Sequence, residues 1–106
     1  MSAQQIGLCT CPDEETAATL ARTLVQERLA ACVNIVPKIR SIYRWDKQIC
    51  DDGEVLLIIK TASDRFAALT ERLVAIHPYE CPEVIALDIC AGHPDYLAWV
   101  TAETRD

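Results

Sequence analysis

The seven residues from His77 to Glu83, HPYECPE, combine much of the side-chain chemistry that the chain offers. They include a histidine, a cysteine, a tyrosine and two glutamates, and imidazole, thiolate and carboxylate groups all bind metals in proteins. They also include two prolines, which stiffen a connector by fixing its backbone. The segment is therefore a candidate metal site or a rigid link between a helix and a strand.

His77 is the strongest single candidate ligand in this segment. It follows a predicted helix, where an imidazole can bind a metal, contact a small ligand or bond to the last helical carbonyls. The candidate partners are Cys9 and Cys11, which flank Thr10 at the end of the first predicted strand. Regular strand geometry places those two thiols roughly 7 Å apart, too far to share one ion without a bend. Whether Cys9 and His77 meet in space stays open at this stage.

Common catalytic and metal-binding templates do not fit the chain. It contains no CxxC pair, no glycine-rich phosphate loop, and no HExxH or GxSxG motif. Glu80 and Glu83 lie close to His77 along the chain, but connectors often carry such carboxylates to stay solvated. We therefore expect a protein that is not an enzyme.

Composition narrows the class further. A length of 106 residues with 51% hydrophobic residues predicts one globular domain, residues 1–106. A net charge of −6 disfavours nucleic acid as a partner. The longest strongly apolar run, Val55 to Ile59, is too short to span a membrane, and no secretory signal is visible, so we expect a cytoplasmic protein. The six cysteines are expected to be mostly buried free thiols.

The one basic concentration in the sequence is a short run at the predicted hairpin. Lys38, Arg40 and Arg44 share strand parity, so they form a solvated strand face or an anion-binding stripe. If the protein is a sensor that binds a small anion or metabolite between subunits, the candidate cleft residues are Cys11, Arg40, Arg44, Lys60 and Tyr79.

The hydrophobic periodicity predicts the order β-α-β-β-α-β followed by a tail helix, which is a ferredoxin-like α+β fold. In that fold we expect the first strand to lie beside the strand that follows the first helix. The predicted elements are strand Ile6–Cys11, a helix from the Asp13 cap to about Leu29, strands Cys32–Val36 and Ile39–Trp45, strand Glu54–Thr61, a helix Asp64–Ile76 capped by Ser63, strand Val84–Cys90, and a helix from Pro94 preceded by an exposed His93.

The central hairpin, Cys32 to Thr61, is long and carries two aromatic residues, Tyr43 and Trp45, towards its tip. Pro37 cannot donate a ladder hydrogen bond, so the strand must be bulged or lie at an edge there. The stretch Asp46 to Gly53 is polar and typical of a turn. Because such an arm would expose apolar surface in a monomer, we expect oligomerisation by strand addition to a neighbour's edge.

Several stretches carry a family resemblance: CTCPDEETA, LAACVNI, SIYRWDKQI, EVLLIIKT, HPYECPE and DYLAWV. In this order and at this spacing they resemble the CutA family of divalent-cation tolerance proteins, over nearly the whole chain. The resemblance implies a homotrimeric, cytoplasmic protein of heavy-metal tolerance that binds copper. It implies Cys9 and His77 as metal ligands, and its similarity to PII-type signalling proteins makes a small-ligand sensor the alternative.

Two positions depart from the family pattern. Ile76 stands where some members carry a second histidine, and Cys11 stands where many have alanine or another residue. The Cys9–His77 pair suits Cu(I), and it would hold Cu(II) or zinc weakly unless Cys11 or a carboxylate completes the ligand set.

Overall fold

The computed structural model describes residues 3–106, which form a four-stranded sheet and three α-helices. The order confirms the predicted β-α-β-β-α-β chain with a C-terminal helix. The elements are β1 Gln4–Cys11, α1 Glu14–Gln26, β2 Cys32–Trp45, β3 Gln48–Ala62, a 3-10 turn Ser63–Arg65, α2 Phe66–Ile76, β4 Ile85–Asp88 and α3 Pro94–Glu103.

The strand order across the sheet is β2-β3-β1-β4, and each neighbouring pair is antiparallel. The expectation that the first strand lies beside the strand after the first helix is wrong, because β3 lies between β1 and β2. Since β4 pairs only with Gln5 to Leu8, the C-terminal end of β1 extends beyond β4. We call residues 9–11, which pair with β3 but not with β4, the free end of β1. This end of the strand positions the candidate metal ligands.

Helices α1 and α2 cover one face of the sheet and enclose the core. The odd-numbered residues of β1 and β3 point to this face, as strand alternation requires. Members of both strands and both helices are fully buried there: Cys9, Cys11, Leu57, Ile59, Leu24, Leu69 and Leu73. The Asp13 cap of α1 is confirmed, since its carboxylate accepts a hydrogen bond from the Thr16 amide at 2.7 Å.

The opposite face of the sheet is covered at one end by α3. Gln4 projects to this face, and its amide donates to the Leu97 carbonyl at 3.2 Å and to the Thr101 hydroxyl at 2.9 Å. Ala62, which pairs with Gln4, is buried beneath the helix. Pro94 occupies the first turn of α3 after an exposed His93, as predicted.

The central hairpin is longer and more regular than the sequence suggests. The predicted turn region 46–53 is wrong except at its start, because β3 begins at Gln48 and only Asp46 and Lys47 form the turn. Both turn residues have positive φ, which matches the twist of a two-residue hairpin. Pro37 lies on an edge strand, at a bulge between Val36 and Ile39, so both alternatives given for it are confirmed.

One predicted helix cap is wrong. Ser63 opens a 3-10 turn rather than capping α2, and its hydroxyl donates to the Ala3 carbonyl at 3.2 Å. The serine amide bonds to the same carbonyl at 2.8 Å. The residue therefore ties the end of β3 to the chain just before β1.

Candidate functional site

His77 ends α2 and links it to the free end of β1. Its backbone amide closes the helix by donating to the Leu73 carbonyl at 2.8 Å. Its ring Nε2 lies 2.8 Å from the Thr10 carbonyl oxygen, which faces the side of β1 where β4 is too short to reach. The imidazole therefore takes the place of a strand amide beyond the end of β4.

The hydrogen bonds of His77 assign its tautomer. A carbonyl oxygen only accepts, so Nε2 carries the proton that is donated to Thr10. The other nitrogen, Nδ1, accepts from the Tyr79 amide at 3.1 Å. The ring is therefore neutral and engaged at both nitrogens, and it is 8% exposed.

Cys9 meets His77 at the same backbone oxygen. Its Sγ lies 3.7 Å from the Thr10 carbonyl, so the thiol and the imidazole converge on one acceptor. We call this arrangement of Cys9, Thr10 and His77 the strand-end corner. Burial, reinforced by the charges of Cys11, Glu83 and Glu54, raises the pKa of the Cys9 thiol to about 12.

Cys11 lies in the same core but has a different polar contact. Its Sγ is 3.6 Å from the Val55 carbonyl of the neighbouring strand. Burial, with smaller effects of Asp13 and Glu54, raises its pKa to about 11. Both thiols are therefore protonated near neutral pH and pack as small apolar groups. Within residues 3–106, no group of three or more His, Cys, Asp or Glu side chains is placed to hold one metal ion.

A cleft of about 700 Å³ lies between the hairpin and the connector after His77. Tyr79 contacts both sides, because its ring lies 4.7 Å from that of His77 and its hydroxyl donates to Glu54 at 2.6 Å. The residues that line this cleft are Thr10, Arg40, Ser41, Ile42, Tyr43, Trp45, Glu54, Tyr79, Glu80, Cys81 and Glu83.

The proposed cleft residues are only partly brought together. Arg40 and Tyr79 line the cleft, whereas Cys11, Arg44 and Lys60 are not among its lining residues. Arg40 is also engaged, since its guanidinium donates to both oxygens of Asp51, at 2.8 and 2.7 Å. Lys60 projects to the face that α3 partly covers and donates to the Asn34 side chain.

The lining of the cleft is acidic and aromatic. Three glutamates face one arginine, and that arginine already pairs with Asp51. Glu54, Tyr43 and Trp45 also line the cleft, although the sequence did not predict them as cleft residues. Glu54 carried a weak signal, because it is a charged residue that opens an otherwise apolar strand. Its position opposite Tyr79 depends on sheet order and could not be read from spacing.

The fold defines the class as a ferredoxin-like α+β protein with an extended central hairpin. Residues 5–103 match the family model described as CutA1 divalent ion tolerance protein. The chain belongs to this family, which confirms the resemblance found in the sequence.

The relatives are similar along the whole chain. The divalent-cation tolerance protein CutA of Thermus thermophilus is 50% identical over 101 residues, which cover 95% of this chain and 98% of that protein. The chloroplastic protein CutA of Arabidopsis thaliana is 50% identical over 97 residues, covering 92% of this chain and 53% of that protein. This chain therefore spans nearly all of the first relative and about half of the second.

A solved structure shows the same fold. The structure described as the periplasmic divalent cation tolerance protein CutA of Archaeoglobus fulgidus has a TM-score of 0.93 and 33% identity, with 96% of this chain and 99% of that chain covered. The compartments named for these relatives differ. In residues 3–106, none of the helices has the length and apolar character needed to cross a membrane.

Proposed function

We propose that this chain is a single-domain, non-catalytic, homotrimeric protein of metal tolerance that binds copper through Cys9 and His77. The observation that carries the proposal is the convergence of the Cys9 Sγ and the His77 Nε2 on the Thr10 carbonyl oxygen, at 3.7 and 2.8 Å. A thiolate and an imidazole are ligands that suit soft Cu(I). Family membership supports a role in divalent-cation tolerance.

Binding at the strand-end corner must displace protons and one hydrogen bond. Cys9 would lose a proton whose pKa is raised to about 12, and His77 would exchange its bond to Thr10 for the metal. Because the ligands must be deprotonated, copper affinity should rise with pH. Two donors suit Cu(I) better than zinc, which takes four ligands in its structural sites.

Apolar surface on the hairpin and on β4 supports the homotrimer. Ile42 and Ile49 are 64% and 63% exposed, and Leu87 is 56% exposed. The hairpin makes the molecule 44 Å long, and β2 and β4 are both edge strands with backbone groups free to pair with a neighbour. The number of subunits is taken from the family resemblance. All six cysteines are free, but the expectation that most are buried is wrong, because only Cys9 and Cys11 are. Free thiols fit the reducing cytoplasm that we propose as its compartment.

Copper titration under reducing conditions tests the ligands. We expect about one Cu(I) per chain for the wild type, and at least roughly tenfold weaker binding for His77→Ala and for Cys9→Ser, since each variant removes one of two donors. His93→Ala and Cys90→Ser are matched controls, because each removes the same residue type from an exposed position.

Unchanged stoichiometry and affinity in both ligand variants would contradict the site. Circular dichroism of each variant separates ligand loss from unfolding. Sedimentation velocity tests the assembly independently, because a monomer at micromolar concentration would contradict the trimer.

The second candidate function is a sensor that binds a small molecule in the cleft. The cleft of about 700 Å³ beside Tyr79 favours it, since this volume is typical of small-molecule sites. The sequence predicts an anion or a metabolite between subunits as the ligand of such a sensor. The acidic lining favours a cation instead, because carboxylates repel an anion and Arg40 is paired with Asp51.

A further inference from the structure

Three aromatic side chains form walls of the cleft. Tyr43 and Trp45 belong to the hairpin, and Tyr79 belongs to the connector that follows α2. Within the single subunit, Trp45 is 51% exposed and Tyr43 is 42% exposed, so the subunit itself leaves ring surface uncovered in the cleft. The face of an aromatic ring carries partial negative charge and attracts cations.

Carboxylates complete the same lining. Glu54 opens the apolar part of β3, and Glu80 and Glu83 lie on the connector opposite the hairpin. The one lining cation, Arg40, donates two hydrogen bonds to Asp51. Carboxylates and aromatic side chains therefore line one space of molecular size.

The two tyrosine hydroxyls are held in fixed positions by carboxylates. Tyr43 donates to Asp52 at 2.5 Å and Tyr79 donates to Glu54 at 2.6 Å. The hydrogen bond to Asp52, with smaller contributions from burial and nearby negative charge, raises the Tyr43 pKa to about 12. Burial and the bond to Glu54 likewise raise the Tyr79 pKa. A phenol that donates to a carboxylate has an electron-rich ring, and its orientation is fixed before a ligand binds.

Other ligand classes fit this lining less well. An anion would meet three glutamates. A bare metal ion needs several donors at one point, and residues 3–106 hold no cluster of three such side chains. A purely apolar molecule would displace water from the three glutamates without supplying a counter-charge.

We propose that the cleft binds a small organic cation with an alkylated ammonium group, held between Trp45, Tyr43 and Tyr79 and neutralised by Glu54 and Glu83. The inference rests on the second proposed function, the sensor, and is independent of the copper site. It names the ligand class for which that sensor is built.

Choline and its neutral isostere 3,3-dimethyl-1-butanol provide a direct test, because they share shape and differ in charge. Calorimetric titration of the full chain at low salt should give saturable choline binding, roughly tenfold tighter than binding of the alcohol. A Trp99→Phe background leaves Trp45 as the single tryptophan, so choline should also change its fluorescence.

Two sets of variants locate the binding. Glu83→Gln should weaken choline binding several-fold, and so should Glu54→Gln, in which the side-chain carbonyl still accepts from the Tyr79 hydroxyl. Trp45→Leu should weaken it to a similar extent. Glu71→Gln and Trp99→Leu are matched controls on exposed helix positions and should leave binding unchanged.

The proposal is overturned if choline does not bind, if the alcohol binds equally well, or if the cleft variants behave like their controls. Occupation of the cleft by a neighbouring subunit would appear as absent choline binding. Copper titration of the choline-saturated protein keeps the two sites distinct. Glu83→Gln should lose choline binding and keep copper binding, and His77→Ala should lose copper binding and keep choline binding. Failure at one site therefore leaves the proposal for the other site unaffected.

Discussion

The strand-end corner and the cleft are neighbours that both include Thr10, but they differ in how their polar groups are satisfied. At the corner, both nitrogens of His77 have partners, and the Cys9 thiol is buried and protonated. In the cleft, Glu80 and Glu83 are exposed to solvent and the ring of Trp45 is half open. The corner therefore contributes to the stability of the fold, whereas the cleft has room for a ligand.

The difference sets the free-energy cost of binding at each place. A metal at the corner must replace an existing hydrogen bond and remove a proton from Cys9, so part of its affinity is spent on loosening the protein. A cation in the cleft displaces solvent and leaves those bonds in place. Variants of the corner should therefore change mainly the stability of the fold, whereas variants of the cleft should change mainly ligand binding.

The largest expected effect is a loss of stability at alkaline pH, caused by the two buried thiols. Their folded pKa values, about 12 for Cys9 and about 11 for Cys11, lie above the ordinary value of 9.0. A raised folded pKa gives stability that is complete below pH 9 and is lost as pH rises, because the unfolded thiols ionise first. By pH 10 each thiol should remove about 1.4 kcal/mol from the free energy of unfolding, about 3 kcal/mol together.

Urea unfolding at pH 8, 9 and 10 measures this loss. The double variant Cys9→Ala/Cys11→Ala should be less stable at pH 8 but should show a much flatter decline towards pH 10. An equal decline in both proteins would mean that these thiols are not the cause, and would weaken the view of the corner as a buried, neutral unit.

The next largest effect is expected for His77→Ala. The variant loses the bond to Thr10 and the bond from the Tyr79 amide, and it leaves the Thr10 carbonyl without its donor. We expect destabilisation of about 2–3 kcal/mol. His93→Ala, which removes an exposed N-cap side chain, should cost about 1 kcal/mol or less. Equal costs in chemical denaturation would argue against a structural role for the corner.

Local sequence signals predicted much of the fold. Asp13 before Glu14 and Glu15 located the start of α1, and Pro37 located the bulge and the edge strand, because each effect depends on neighbouring residues. The strand from Gln48 to Gly53 was missed. Its Asp-Asp-Gly composition is unfavourable for a strand, and pairing with the opposite arm of the hairpin overrides that preference.

The candidate site was less predictable, because it depends on distant pairing. Cys9 and His77 could be named from their types, but their meeting at Thr10 requires that β4 be short and lie beside β1. The role of Glu54 likewise requires that β3 place it opposite Tyr79. Neither condition leaves a local pattern. Family resemblance supplied the candidate ligands without supplying their contacts.

Tyr79→Phe tests the boundary between the two regions. The variant removes the hydroxyl that bonds to Glu54 in a partly buried setting and should cost about 1 kcal/mol. Tyr43→Phe removes an exposed bond to Asp52 and should cost less stability than Tyr79→Phe does. Thermal unfolding of both variants beside the wild type is sufficient. A larger cost for Tyr43→Phe would contradict the prediction that the side of the cleft next to the corner contributes more to stability than the hairpin side.

The smallest stability effect should come from Arg40→Gln. The Arg40–Asp51 pair is exposed to solvent, so its loss should change the free energy of unfolding very little. The same change removes the one positive lining residue and frees Asp51, so choline binding should strengthen about two- to threefold at low salt, and less at high salt because salt screens exposed charges. Arg72→Gln is the matched control, since Arg72 forms a similar surface pair with Glu27 away from the cleft. Weaker choline binding in Arg40→Gln would contradict the assignment of the cleft as a cation site.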